Sequence, residues 1–312
     1  MPRIIIGLGI AFLSAVACAQ SPPTFRAGVS LVHVDVGVTE NGDRIITGLS
    51  QDDFRVFDEG QAQVITGFLA EEQSLDLILL FDISSSMRIQ VANIARAARE
   101  AFHELRQGDQ VSVMTFTSRA TVVSPLTTDL ESVEHSIRGI LDHKFRGNTQ
   151  IREGIYEAAD YFIGSERSQR RRAILVITDN IGGHKRSEAA VVTNLWEADA
   201  VLSGIVVPPR RSRGVSNDPF GLIGESLLAK MFAGIDGIAQ KTGGDALHSD
   251  APGAGLSQMM HRIRSRYSLY YRMPDGTPGS FRSIQVELAS GAEARFPGAH
   301  VSARRGYRLS QP

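Results

Sequence analysis

Cysteine is nearly missing from this chain: Cys18 is the single one among 312 residues. A disulfide framework and a thiolate metal site are therefore excluded. Charge of one sign is not in surplus either. Thirty-three Lys and Arg stand against 34 Asp and Glu, for a net charge of −1, so no bulk field favours nucleic acid or an acidic membrane surface. The eight histidines show no His-x-x-x-His spacing, which argues against a zinc site on a helix. No Gly-x-Ser-x-Gly elbow is present, which removes the usual serine-hydrolase signature. Long apolar runs are lacking too. The longest, Ile4 to Ala17, is too short for a membrane span. There is no internal repeat and no low-complexity tract.

What is present is ordinary globular composition, 42% hydrophobic and 21% charged, enough for one large domain and a smaller one. The N-terminus reads as an export signal, residues 1–19. Met1-Pro2-Arg3 gives a positive start, an apolar stretch follows, and Ala17-Cys18-Ala19 fits small-x-small cleavage before Gln20. The expected location is the periplasm, the cell envelope or the medium, and the mature chain is expected to lack a transmembrane span. Cys18 as a lipoprotein acceptor is the weaker reading, because the usual Leu three residues before it is missing.

Residues 25–72 read as a small β unit. Val32, Val34, Val36 and Val38 alternate on one strand face, Asn41-Gly42 is a turn signal, and Phe54 to Phe57 and Gln63 to Phe68 are further strands. The pattern changes at Leu75 to Phe81, a near-continuous apolar run typical of a strand buried on both faces. From there strands alternate with helices. Strands are expected at Gln110 to Phe116, Ala120 to Val123, Ala173 to Thr178, Gly204 to Val207 and Asp245 to His248. Helices are expected at Ile89 to Leu105, 130–141, 150–163, Ser187 to Ala200, Leu227 to Gln240 and Gly255 to Arg266. This alternation predicts an α/β, doubly wound, Rossmann-like domain with a mostly parallel sheet over 74–266. Residues 267–312 return to β, with Ser290-Gly291 as a turn and one strand over 299–309. Neither β segment can bury a core alone, so the two are expected to pack together as a small sandwich. Arg170-Arg171-Arg172 reads as a solvated helix end, and Trp196 as core on a helical stripe with Val192.

In an open parallel sheet, ligands bind at the carboxyl ends of the strands. After the first buried strand stands Asp82-Ile83-Ser84-Ser85-Ser86. After the strand ending at Thr178 stands Asp179, and Gly147-Asn148-Thr149 opens a helix between them. Two carboxylates and three hydroxyls form an all-oxygen set, the ligand type of a hard divalent cation. Each hydroxyl alone also reads as a helix N-cap; it is the five together, in this order, that read as a metal site.

Asp82-x-Ser84-x-Ser86, Thr149 and Thr178-Asp179 resemble the metal-ion-dependent adhesion site of von Willebrand factor A domains, over about residues 74–266. The resemblance implies Mg²⁺ (or Mn²⁺ or Ca²⁺) ligated by Ser84, Ser86 and Thr149, with Asp82 and Asp179 acting closely or through water. It further implies a protein partner whose Asp or Glu completes the shell. Catalysis is not expected, nor, from the charge balance, is nucleic acid. Val56-Phe57-Asp58-Glu59-Gly60-Gln61 and Arg305-Gly306-Tyr307 resemble the exported bacterial proteins called VWFA-related, abundant in Acidobacteria. The sequence departs from the common pattern in having Gly147-Asn148-Thr149 where Gly-Gly-Thr is usual, and Asn180 where Gly is usual. Basic residues on loops of the same edge, Arg146, His184, Lys185, Arg186, Arg210, Arg211 and Arg213, with Lys144 and Arg152, are candidates for contacting an anionic partner. Two other functions compete. One is a structural envelope protein with a degenerate site. The other is a metal-dependent phosphatase-like hydrolase, disfavoured because the position two after Asp82, where such enzymes keep an acid, is Ser84.

Overall fold

A computed structural model describes residues 30–40, 44–70, 73–145, 149–165, 170–207 and 234–309. The expected export signal 1–19 with Cys18, the turn signal Asn41-Gly42, the basic residues Arg146, Arg210, Arg211 and Arg213, and residues 227–233 of an expected helix lie outside the described residues.

Five strands come first: β1 (Leu31–Glu40), β2 (Arg44–Ile45), β3 (Phe54–Asp58), β4 (Gln61–Gln63) and β5 (Ile65–Ala70). The α/β layer follows, with β6 (Leu75–Asp82), α1 (Arg88–Ala101), β7 (Gln110–Phe116), β8 (Ala120–Thr127), α2 (Leu130–Gly139), α3 (Ile151–Gly164), β9 (Arg171–Thr178), α4 (Glu188–Glu197), β10 (Ala200–Val206), α5 (Ile235–Thr242), β11 (Ala246–His248) and α6 (Pro252–Arg264). The chain then returns to β12 (Tyr267–Arg272), β13 (Phe281–Leu288), a short α7 (Ser290–Arg295), β14 (Ala299–Ala303) and β15 (Gly306–Arg308).

The central sheet runs β11-β10-β9-β6-β7-β8. Its strands are parallel except β8, which pairs antiparallel with β7. Every residue of β6 and of β9 is buried, so each strand needs apolar side chains on both faces. Leu77, Leu79 and Phe81 meet Val91 and Ile94 of α1 and Met259 and Ile263 of α6 on one face. Ile78 and Leu80 meet Ile155 and Phe162 of α3, Val191 and Leu195 of α4 and Ile238 of α5 on the other. The chain goes from β6 to β7 on one side and returns to β9 on the other, so a crevice opens between the carboxyl ends of β6 and β9.

The flanks form two further sheets, β14-β1-β12-β5 with β2 on β1, and β15-β13-β3-β4. Strand β1 lies between β12 and β14, antiparallel to both, so the first strand is held by two of the last. The sheets share one core, in which Val34, Phe54, Val56, Tyr267, Tyr271 and Ile284 are buried. Within it Asp58, 0% exposed, accepts hydrogen bonds from the Tyr271 and Tyr307 hydroxyls, both at 2.8 Å, and from Arg282 Nε at 2.6 Å. The stretches around Asp58 and Tyr307 that stood out in the sequence thus meet at one buried carboxylate.

Several sequence expectations are corrected. Arg171 and Arg172 are not a solvated helix end: they open β9, and Arg171 is 1% exposed. Its guanidinium donates to Asp35 Oδ2 at 3.0 Å and to the carbonyls of Ile263 and Arg264 at the end of α6. Arg266 donates to the other oxygen of the same Asp35 and to the Gly243 carbonyl. Two long cations can stay buried because they share one β1 carboxylate and because backbone carbonyls, of Ile263 and Arg264 for Arg171 and of Gly243 and Ser302 for Arg266, accept most of their other N–H groups. Arg171 Nε alone has no partner among the described residues. Ser290-Gly291 starts the helix α7 rather than a turn, Ala200 begins β10 rather than ending a helix, and 299–309 holds two strands. Trp196 is partly buried, packed against the core and stacked on Phe281 at 5.2 Å.

Candidate metal centre at the sheet edge

Asp82 is the last residue of β6 and is 0% exposed. One carboxylate oxygen accepts the Ser84 backbone N–H at 2.8 Å, folding the Ile83-Ser84 loop back over it. The other accepts the Thr178 hydroxyl at 2.7 Å, which ties the ends of β6 and β9 together. Asp179 follows Thr178 directly. Its Oδ2 accepts Ser86 Oγ at 2.6 Å, and Ser86 Oγ lies 3.1 Å from Ser84 Oγ. Asp82, Asp179, Ser84 and Ser86 are therefore joined in one hydrogen-bonded cluster. Neither Ser84 nor Ser86 caps α1 by a side-chain bond, so capping is not what these hydroxyls do here.

Thr149, 4% exposed, is brought to the same edge by its backbone. Its carbonyl accepts the Gly183 N–H at 2.8 Å, and Gln150 N–H donates to the Thr117 carbonyl at 2.8 Å. A Cβ on Gly182 would lie 2.6 Å from the Thr149 carbonyl oxygen, closer than a side chain tolerates, so the Gly182-Gly183 pair is what lets the loop after Asp179 pass against Thr149. Sequence reasoning missed this pair; two adjacent glycines after a buried strand were the available signal. It also placed Thr178 only as Asp179's neighbour, although its hydroxyl holds Asp82. Asn180 adopts φ 61°, the left-handed region that Gly favours and Asn tolerates. Its substitution for the usual Gly keeps the loop geometry.

Burial pushes the Asp82 carboxyl up to about 6, and the nearby Asp179 charge adds to the rise, against the opposing bonds from Thr178 and Ser84. Among the described residues neither Asp82 nor Asp179 has a Lys or Arg in salt-bridge contact. Two carboxylates with hydroxyl oxygens and no protein cation fit a hard divalent ion that keeps several waters. No group of three or more His, Cys, Asp or Glu suited to a metal occurs among the described residues, so any ion here depends on the hydroxyls.

The basic candidates divide. Lys144 and Lys185 are exposed. Arg186 is bidentate to Glu153, at 2.9 and 3.1 Å, and lies over the Tyr156 ring. Arg152 reaches Glu188 at 3.7 Å and the Arg186 carbonyl. His184 is half-buried. Arg88, not singled out in the sequence, lies over the Phe145 ring at 5.4 Å, and Ser85 Oγ donates to the Phe145 carbonyl, so these residues rim the edge.

A doubly wound sheet with an oxygen cluster at its switch point defines a class. Residues 77–183 match the family described as von Willebrand factor type A domain, and the central domain is of this kind. The chain is similar in structure to BatB of Bacteroides thetaiotaomicron, at 21% identity and TM-score 0.45, over 61% of this chain and 97% of that one. It is also similar to an aerotolerance-related membrane protein of Bacteroides fragilis, at 19% identity and TM-score 0.44, over 61% and 100%. Proximal thread matrix protein 1 of the mussel byssus follows at 16% and 0.45, over 66% and 51%. No curated protein matches the chain significantly. No helix among the described residues is long and apolar enough to cross a membrane.

Proposed function

We propose that the chain is a non-catalytic, metal-dependent binding module, exported by its first 19 residues. In this reading Ser84, Ser86 and Thr149 hold a divalent cation, Mg²⁺ first, with Asp82 and Asp179 beside it or acting through water. A partner protein's Asp or Glu fills the remaining position. Domains of the matched family generally mediate protein interactions. The observation that carries the proposal is the desolvated Asp82, hydrogen-bonded to Thr178 and Ser84 but facing no protein cation among the described residues. Buried charge of this kind is costly unless compensated, and a bound cation supplies the compensation. When bound, the ion would offer a Lewis-acidic position to an external carboxylate. The protein's own part is to hold the oxygens in place and to keep Asp82 dry. No acid stands two residues after Asp82, where a phosphatase-like reaction would need it.

One feature favours a second reading. The hydroxyls and Asp179 already satisfy one another, as they would in a structural protein whose edge takes no ion. Titration of Mg²⁺ and Mn²⁺ into chelator-stripped protein, followed by calorimetry, separates the two. Binding by the wild type that is lost in Asp82→Ala and Thr149→Ala supports the metal centre. No binding by the wild type, with or without an acidic peptide, leaves the structural reading.

A further inference from the structure

A second concavity lies at the opposite end of the central sheet, where β9 and β10 begin, between the α/β layer and the sandwich. Its volume is about 550 Å³, within the roughly 300–1,000 Å³ of small-molecule sites, which favour such junctions. Apolar groups line it, among them Trp196, Ile163 and Leu31. The Trp196 ring is fixed by stacking on Phe281 and by its N–H bond to the Lys241 carbonyl at 3.2 Å. Four guanidiniums, of Arg170, Arg172, Arg304 and Arg308, line it with two carboxylates, of Glu197 and Asp199. Arg170 is paired with Asp76 at 3.7 Å, so three guanidiniums remain against the two carboxylates. Asp199 is engaged by His33 at 2.9 Å and by Arg304. Arg308 is different: its side chain is 50% exposed and meets Glu197 only at 4.0 Å. Among the described residues its guanidinium makes no hydrogen bond. An apolar floor with a surplus of positive charge, and one planar fork not yet used in hydrogen bonding, specify the complementary ligand.

We propose that this junction binds a small apolar carboxylic acid, its hydrocarbon part against Trp196 and Ile163 and its carboxylate on Arg308. The guanidinium fork matches a carboxylate in bidentate fashion, and the apolar lining gives the hydrocarbon part its contact. The site is independent of the metal centre, since β9 runs between them with Arg171 at one end and Thr178 at the other.

Trp196 is the chain's only tryptophan, so its emission reports on this site alone. The probe is 4-phenylbutyrate, titrated into the intact protein in chelator, with neutral 4-phenylbutanol as the comparison. A saturable change in emission is expected for the acid. The alcohol is expected to bind about tenfold more weakly or worse, as befits loss of one charge-assisted bond. Arg308→Gln should bring the acid down to the level of the alcohol. Glu197→Gln, which removes the competing carboxylate, should tighten acid binding several-fold, and Asp82→Ala should leave it unchanged. The Glu197 variant gives a gain that misfolding cannot mimic. Absence of a saturable response, equal binding of acid and alcohol, or indifference to both the Arg308 and Glu197 substitutions would overturn the proposal.

Discussion

At the scale of single residues, what governs the candidate metal edge is which oxygen each hydroxyl holds. The grouping of Asp82, Ser84 and Ser86 was legible because the connections between them are local: Asp-x-Ser-x-Ser places its oxygens on one tight loop whatever the rest of the chain does, whereas the bond from Ser86 to Asp179 is long-range. Thr178's hold on Asp82 spans 96 positions, and no local pattern announces it. Asn180 was noted as a departure but its consequence depended on a dihedral angle. With φ at 61°, Asn180→Ala should cost about 1 kcal/mol, the usual left-handed penalty for a residue that cannot hydrogen-bond locally. Urea denaturation would measure it, and an unchanged midpoint would remove strain from the account of this loop.

At the scale of elements, strands and helices of the α/β layer were read almost in place, because runs such as Leu75 to Phe81 and stripes such as Val91, Ile94, Ala95 and Ala98 carry their periods openly. One boundary failed where buried polar residues broke the pattern. Arg171 and Arg172 belong to β9, yet consecutive arginines look solvated until their partners are known. The loop from Asp179 to Gly183 is positioned by contact with Thr149. Gly182→Ala should therefore push that loop away from the Thr149 carbonyl. The expected result is weaker Mg²⁺ binding in the calorimetric titration, with far-ultraviolet circular dichroism unchanged. Wild-type affinity in this variant would mean that Thr149 is not needed close to Asp179.

At the scale of the whole molecule, Asp35 joins the two layers. Burial alone would raise its carboxyl, but Arg266 and Arg171, with His33, outweigh that and hold it below its ordinary 3.8. Its ion pairs therefore stabilise the fold fully above about pH 4 and lose that contribution as pH falls through the lower folded value. In Asp35→Asn, the dependence of unfolding free energy on pH between about 4 and about 2 should flatten relative to wild type; an identical slope would count against the assignment. Arg171→Met should cost about 3–5 kcal/mol, because it leaves Asp35 short of a buried partner and uncovers the last carbonyls of α6. Thermal melting in one shared transition, at a lower midpoint, is the expected result. Two separated transitions would show that the layers unfold independently. The pairing of β1 with β12 and β14 also sets an order in time. Strand β1 leaves the ribosome, or crosses a membrane, more than two hundred residues before either neighbour: its Val34 pairs with Leu269 and its Val38 with Val301. Through that interval it is an apolar strand covered only at its far end, by the short β2, with the rest of both edges bare, the state most open to pairing with another chain. Closure of the sandwich must wait for the last part of the chain, so a refolding step slower than that of the α/β layer, with sensitivity to anything that stalls synthesis after α6, is built into the connectivity.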